Sequence, residues 1–308
     1  MVLNFFKKIL KKKPKIIVIL GQTATGKTSL SIEIAKRYHG EIISADSRQV
    51  YRGMDIGTAK VTPEEMDGVP HHMINIVNPH NVFTVAEYVT TGIKIIDDIL
   101  KRKNIPIICG GTGMYIDALI YQHKFPEIAP NKKLRNKLEK LSTEHLFNQL
   151  QKQDPSRAKT IDPHNRIRLI RALEILDAGG NISPLSSVSP YNTLFIGLEL
   201  PKEILHERIH QRIIDRFNTG MLKEAHTLLE KGLSHARLEE LGLEYRYMSR
   251  YLRDTISYEE MIIQLTKETQ KFAKRQKTWF RRNKNIYWVD PRTEKEKIYT
   301  LIENFINH

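Results

Sequence analysis

Lys15-Ile16-Ile17-Val18-Ile19-Leu20, followed at once by Gly21-Gln22-Thr23-Ala24-Thr25-Gly26-Lys27-Thr28, decides the fold. The first six residues are a continuous, largely β-branched run, the pattern of a parallel strand buried on both faces. The next eight fit GxxxxGK[ST], and a helix is expected behind them from Lys27 to Tyr38, ended by Gly40. A strand, a glycine-bounded loop and a helix in this order form a phosphate cradle. The glycines let backbone N–H groups converge on a phosphate, and the helix N-terminus adds positive potential. The residues Gly21, Gln22, Thr23, Ala24, Thr25, Gly26, Lys27 and Thr28 are therefore expected to hold a di- or triphosphate. Lys27 neutralises the terminal phosphate, and Thr28 is the expected ligand of Mg²⁺.

Outward from the cradle, residues 41–45 read as a second short strand with Asp46 at its C-terminal end. Residues 105–109 read as a third, ending in Gly110-Gly111-Thr112-Gly113. Pro106 has no amide donor and belongs at that strand's start. Residues 194–198 and 286–289 supply two more. Residues 51–82, with Gly53, Gly57, Pro63, Gly68, Pro70 and Pro79, read mostly as loop. Capping boxes at Thr84–Glu87 and Ser257–Glu260 open helices running to about Lys101 and Arg282. Strands separated by helices, each ending in Gly or Asp, predict an α/β fold: a doubly wound parallel sheet of the P-loop NTPase type. Between 125 and 192 the texture changes to charged helical segments broken by Asp154-Pro155, Asp162-Pro163 and a Gly/Ser/Pro stretch, with no strand-like run. The expected organisation is a basic N-terminal extension (1–14), a first part of the core (15–124), a mostly helical insertion domain (125–192) and a second part of the core with a basic helix (193–308).

Composition narrows the function classes. At 308 residues and 40% hydrophobic content the chain is long enough for one large domain, or one domain with an insertion. No apolar run reaches the roughly 18–20 residues of a membrane span. Cys109 is the single cysteine, which excludes a disulfide framework and a cysteine zinc site; in its strand it is expected to pack as a small hydrophobe. The net charge of +14 is concentrated. Residues 1–15 hold six lysines and no acid, and residues 267–284 hold eight basic residues against Glu268. Two such segments point to a polyanionic partner, against the plainer alternative of a solvated tail and a solvated helix face. Residues 2–13 place Leu3, Phe5, Phe6, Ile9 and Leu10 among lysines, either as an amphipathic helix for an anionic surface or as a frayed leader. They lack the apolar core and cleavage site of a secretory signal, so the expected compartment is the cytoplasm.

The cradle alone leaves the chemistry open. An NTPase of this type carries an acid at the end of a core strand well downstream, yet the third strand ends in Cys109-Gly110-Gly111. The acid is Asp46, on the strand directly after the loop helix, where it can act as base toward an acceptor rather than toward water; the competing role is capping the following turn. Ser47, Arg48 and Gln49 follow it, and the Gln49 carboxamide matches an adenine edge. His71 and His72 are adjacent and point apart, so a loop-structuring role is expected in place of a metal pair.

The stretches GQTATGKT (21–28), EIISADSRQVYRGMDIGTAK (41–60), PHHM (70–73), CGGTGMYIDAL (109–119), NRIRLIRALEI (165–175), LHERIHQR (205–212) and FAKRQKTWFR (272–281) occur in this order and cover most of residues 15–290. Together they resemble the tRNA dimethylallyltransferases, also called tRNA isopentenyltransferases. The resemblance implies that the cradle holds dimethylallyl diphosphate. Its five-carbon group passes to the exocyclic amine of the adenosine 3′-adjacent to the anticodon, position 37, in the tRNA anticodon stem-loop. It assigns Asp46 as base, Lys27 and Arg212 (less directly Arg208) as cations at the leaving group, and Thr23 as a hydrogen-bonding partner near the reacting centre. Asp46, Ser47, Arg48, Gln49 and Thr112 would meet the flipped-out nucleotide. Ile167, Arg168, Leu169, Ile170 and Arg171 on the insertion, with Lys271, Lys274, Arg275 and Arg281 on the basic helix, would meet the rest of the tRNA; the competing reading of residues 165–175 is an ordinary amphipathic helix with Leu169, Leu173 and Leu176 inside. Phe272 and Trp279 on that helix are expected in the core. The implied assembly is a monomer.

Three departures accompany the resemblance. The loop more often reads GPTASGKT, so Gln22 and Thr25 stand for Pro and Ser. Ile167 occupies a place where a polar or basic residue is common. A Gly-Tyr-Lys-Glu stretch expected near 242–246 reads Gly242-Leu243-Glu244-Tyr245-Arg246. Two alternatives remain at this stage: a P-loop nucleoside or small-metabolite kinase, which has no use for the stripe at 267–284, and a non-catalytic RNA-binding module.

Overall fold

The computed structural model describes residues 12–126, 128, 129, 131–180 and 187–308. The amphipathic segment expected at 2–13 lies, but for its last two residues, outside them. The described residues form two compact units, one of the chain up to Gln122 with Val188–His308, the other of His123–Ser187.

In the first unit β1 (Lys15–Gly21), β2 (Gly40–Ser44), β3 (His71–His72), β4 (Ile105–Gly110), β5 (Asn192–Leu198) and β6 (Ile286–Val289) make one sheet in the order β3-β2-β4-β1-β5-β6. Every pairing is parallel. The continuous apolar run of β1 has its cause here. Ile16 and Val18 pack with Tyr88, Ile96 and Ile99 on one face, while Ile17 and Ile19 pack with Ile34, Ile298 and Ile302 on the other. A strand covered on both sides has no polar positions to alternate with. The α/β doubly wound expectation holds.

Helix α1 (Lys27–Tyr38) follows the loop after β1. It ends on His39, which takes the left-handed conformation at φ 53°, and not on Gly40. Gly40 instead opens β2, where a Cβ would lie 2.5 Å from Ile107 Cδ1. The stretch 51–82 contains two elements that loop composition hides: α2 (Pro63–Met66), with a capping box on Thr62, and the two-residue edge strand β3. α3 (Val85–Lys101) starts at the expected Thr84 capping box, and α4 (Gly113–Ile120) leaves the second glycine turn.

The second unit is built from α5 (Lys132–Leu138), α6 (Thr143–Gln153), α7 (Pro155–Ala158) and α8 (Arg166–Asp177), with no strand among its described residues. Leu138, Leu146, Leu150, Leu169 and Leu173 form its core. Glu174 is 1% exposed beside that core. It accepts from the Asn131 amide at 2.5 Å, from Arg135 at 2.8 and 2.9 Å, and from Arg171 at 2.5 Å. Burial alone would raise its pKa, but the two guanidinium groups pull it down to about 2.

The first unit resumes with β5 and then α9 (Lys202–Asn218), α10 (Met221–Glu230), α11 (His235–Glu240), α12 (Leu243–Tyr251), the long α13 (Tyr258–Phe280) and α14 (Lys295–Asn307). Helices α9 to α13 share an apolar cluster around Ile213, Met221, Met248 and Leu265. That packing fixes α9 and α13 against the cradle side of the sheet. Where the chain leaves and re-enters this unit, Gln122 donates to the Tyr191 hydroxyl at 2.9 Å and the Ser189 hydroxyl to the Ile120 carbonyl at 2.9 Å.

Candidate active site

The loop between β1 and α1 has the strained geometry that its glycines permit. Gly21 has φ 143°, and a Cβ there would lie 2.5 Å from the Leu198 carbonyl oxygen on β5. Gly26 caps α1 at φ 89°. Inside the loop the Lys27 ammonium donates to the Gln22 carbonyl at 2.5 Å and the Thr25 hydroxyl to the same oxygen at 2.8 Å. Thr28, second residue of α1, is exposed. Not every amide is free, because the Thr23 N–H donates to Gln276 Oε1 at 2.8 Å.

Gln276 is the link that sequence reading missed. Its other end donates to the Gly111 carbonyl at 2.9 Å, so one side chain from α13 ties the cradle to the second glycine turn. A Cβ at Gly111 would lie 2.2 Å from Gln276 Nε2, so a larger residue there would displace that amide from its place. A glutamine on a mostly polar helix carries no local signal for such a reach.

A cavity of about 550 Å³ opens in front of the cradle, and Thr23, Lys27, Thr28, Asp46, Ser47, Arg48, Gln49, Thr112 and Arg212 all line it. The residues expected at the reacting centre are thus brought together from β1, β2, β4 and α9. Asp46 meets both descriptions given above. It accepts from the Arg48 amide at 2.8 Å, a turn cap, and it still faces the cavity. Burial raises its pKa, against the opposing pull of that amide, Arg48 and Lys27. A carboxylate so placed holds a proton more readily than an exposed one. Thr112 accepts from the Ser47 amide at 3.2 Å and so fixes the turn behind Asp46. Gln49 accepts from the Ser44 hydroxyl at 3.0 Å and donates to the Ala59 carbonyl at 3.2 Å.

The cations are held short of counter-charge. Lys27 is pushed down to about 8, first by burial and then by Arg212, with Cys109 and Asp46 pulling the other way. Arg212 is lowered to about 10 by burial and by Arg216. It donates to the Thr23 hydroxyl, and its Nε, buried, has no partner. Arg216 Nη2 and Thr269 Oγ1, in the same lining, are also buried without partners. Unpaired donors in one cavity are a demand for acceptors, and an anion meets it. No cluster of three or more His, Cys, Asp or Glu side chains suited to a metal occurs among the described residues. His72 binds Glu41 at 2.8 Å and His71 the Val69 carbonyl at 2.8 Å, so both serve the sheet edge.

Several expected tRNA contacts are placed differently. Leu169 is 0% and Ile170 8% exposed, both in the core of the second unit, where no nucleic acid can reach them. Arg171 is held by Glu174 and the Ile128 carbonyl. Ile167, at 82%, and Arg168 are exposed. On α13 Lys274 and Arg275 are exposed, Lys271 pairs with Glu268 at 2.5 Å, and Arg281 stands 4.0 Å from Glu199. Lys277, counted with the basic stripe, also pairs with Glu199. Phe272, expected in the core, is instead 38% exposed at the cavity, while Trp279 is half-buried with its indole N–H on Asp117 at 2.8 Å.

Comparison with known proteins shows the family. The family model described as IPP transferase matches residues 49–283. The tRNA dimethylallyltransferase of Pelotomaculum thermopropionicum is 43% identical over 288 residues, 90% of this chain and 91% of that one. That of Anoxybacillus flavithermus is 41% identical over 282 residues, 90% of each. The crystal structure of the tRNA isopentenylpyrophosphate transferase from Bacillus halodurans superposes with a TM-score of 0.73 at 38% identity, covering 96% of this chain and 97% of that one. A eukaryotic dimethylallyltransferase, described as acting on tRNA, superposes with a TM-score of 0.80 at 28% identity over 96% of this chain and 80% of its own. The cradle, the carboxylate beyond it and the length of these matches place the chain in the IPP transferase family, the tRNA dimethylallyltransferases.

Proposed function

We propose that this protein transfers the dimethylallyl group of dimethylallyl diphosphate to N6 of adenosine 37, next to the anticodon of tRNA, giving N6-isopentenyladenosine and diphosphate. The observation that carries the reading is the cavity itself. It pairs a diphosphate cradle with a half-buried carboxylate, Asp46, where a nucleobase amine can arrive. The diphosphate lies across Gly21–Thr28, with Lys27 and the spare Nε donor of Arg212 on its oxygens. As the allylic C–O bond breaks, the negative charge gathers on the leaving diphosphate, and these fixed donors stabilise it. N6 of the adenine bonds to the freed carbon and passes its proton to Asp46. Thr23, hydrogen-bonded to Arg212, steers that guanidinium. Gln49 reads the base edge, and Thr112 and Ser47 hold the turn that presents Asp46.

The donor set suits Mg²⁺: Thr28 offers one exposed hydroxyl at the mouth of the cradle, and Mg²⁺ takes few protein ligands, completing its shell with phosphate oxygens and water. When bound it supplies charge neutralisation to the leaving diphosphate. For the tRNA body, exposed Ile167 and Arg168 on α8, and Lys271, Lys274, Arg275 and Arg281 on α13, are the contacts that the reading assigns, with the helical insertion gripping the anticodon stem. No described helix is long and apolar enough to cross a membrane. A tRNA substrate supports a cytoplasmic enzyme.

The test is mass spectrometry of nucleosides from tRNA incubated with the protein, Mg²⁺ and dimethylallyl diphosphate. Isopentenyladenosine at position 37 is the expected product. Phosphoryl transfer from ATP with no prenylated nucleoside would replace this reading with a kinase.

A further inference from the structure

One carboxylate outside the cavity lining is bonded more completely than a surface residue needs. Glu224, on α10, accepts from three successive backbone amides, those of Asp55 and Ile56 at 2.7 Å each and that of Gly57 at 2.9 Å. The Tyr245 hydroxyl adds a fourth bond at 2.6 Å. Three consecutive N–H groups converging on one anion form a nest, and the carboxylate closes it from within the protein. Gly57 is flush against the tyrosine, because a Cβ there would lie 2.6 Å from its ring. The Gly57 carbonyl is taken in turn by buried Arg216 at 2.8 Å, which also pairs with Glu244 at 3.3 Å.

Glu244 and Tyr245 belong to the stretch in which this sequence departs from its family's pattern. Both brace the same short loop. That loop continues into Thr58 and Ala59, whose carbonyls accept from the Gln49 side-chain amide at 3.4 and 3.2 Å. Ala59 is held at φ 49°, a left-handed conformation that a non-glycine residue keeps only when its surroundings impose it. The orientation of Gln49 therefore depends on carbonyls that the Glu224 nest holds in place.

We propose that Glu224 is a positioning residue for the acceptor nucleobase: through residues 55–59 it sets the amide plane of Gln49, and Tyr245 and Arg216 complete the brace. This rests on the reading of Gln49 as the base-holding side chain. Glu224→Gln replaces one acceptor oxygen by a donor and turns it against the amides. The expected result is a fall of about tenfold in kcat/KM for tRNA, with dimethylallyl diphosphate affinity unchanged. Tyr245→Phe, which keeps all three amide bonds, should give a smaller fall of the same kind and stands in if Glu224→Gln does not fold.

The deciding measurement is a double-mutant cycle on the purified full chain, combining either variant with Gln49→Ala. If Glu224 acts through Gln49, its substitution costs little more once Gln49 is gone. Full additivity overturns the proposal, and so does an equal loss of prenyl-diphosphate affinity or an unchanged kcat/KM. Prenyl transfer by the wild-type protein, measured in the same assay, separates each of these outcomes from failure of the functional reading itself.

Discussion

Two sets of buried and half-buried cations in this molecule are treated in opposite ways. In the helical unit Arg135 and Arg171 converge on Glu174, and Arg166 donates to the Leu141 and Glu139 carbonyls. Each positive group is answered from within the fold. In the cavity, no ion pair of Lys27 or Arg212 occurs among the described residues; burial and Arg212 lower Lys27, and burial and Arg216 lower Arg212. The difference teaches what each set is for. A cation matched by a carboxylate holds structure together. One that burial disfavours and no carboxylate pairs with is stabilised when an anion arrives, so its strain in the free protein becomes affinity for ligand.

Asp46 is the carboxylate closest in role to an exception, and removing it is the hardest test of the contrast. If it existed to neutralise Lys27 and Arg212, Asp46→Ala would weaken the fold and leave chemistry incidental. The expectation is the reverse: a fall of about 10²-fold or more in single-turnover prenyl transfer, with tRNA affinity and melting temperature nearly unchanged. Equal activity in the variant would falsify the role as base.

Next in size come paired substitutions on the two sides of the comparison. Glu174→Ala strands two guanidinium groups beside an apolar core and should cost about 3 kcal/mol or more in urea unfolding. Lys27→Met removes an unanswered cation, and should leave the fold equally stable or more so while abolishing diphosphate binding. A matching loss of stability in both variants would erase the distinction.

The smallest effect is the most specific. Lys27 titrates near 8 in the free protein, below the ordinary lysine value, so its ammonium form is present at pH 7 and lost as pH rises through 8. Because diphosphate needs that ammonium, affinity for dimethylallyl diphosphate should drop about tenfold from pH 7 to 9. Isothermal titration across that range should find the slope in the wild type, and an affinity equal at pH 7 and pH 9 would overturn the role of the ammonium.

Much of the frame was legible in the amino-acid sequence because its signals are local. A strand buried on two faces must be apolar throughout, and the Thr84 and Ser257 capping boxes mark their own helices. The cradle declares itself within eight residues, and Asp46 is found by its position after the next strand. The rest was hidden for physical reasons. His71 and His72 form too short a strand to leave a period, and their place is fixed only by pairing with Ile42 and Ile43. The family resemblance assigns Leu169 and Ile170 to the tRNA, while the apolar spacing of Leu169, Leu173 and Leu176 points inward; the structure follows the spacing, and Ile170, outside that set, is buried as well. Gln276, Glu224 and Tyr245 act on backbone groups more than 150 residues away or on another helix. Neither type nor spacing distinguishes such side chains from solvated ones.

The strand order has a consequence for how the molecule is made. β1 is paired on one edge by β4 and on the other by β5, yet the whole helical unit is encoded between those two partners. A ribosome delivers the helical unit, whose apolar core is drawn from its own stretch, before it delivers the strand that covers the second edge of β1. The nascent chain therefore carries β1 with one flank open while the intervening helices can already close on themselves. The bonds from Gln122 to Tyr191 and from Ser189 to Ile120 then act as the clasp that brings the interrupted halves together, each joining residues 69 positions apart.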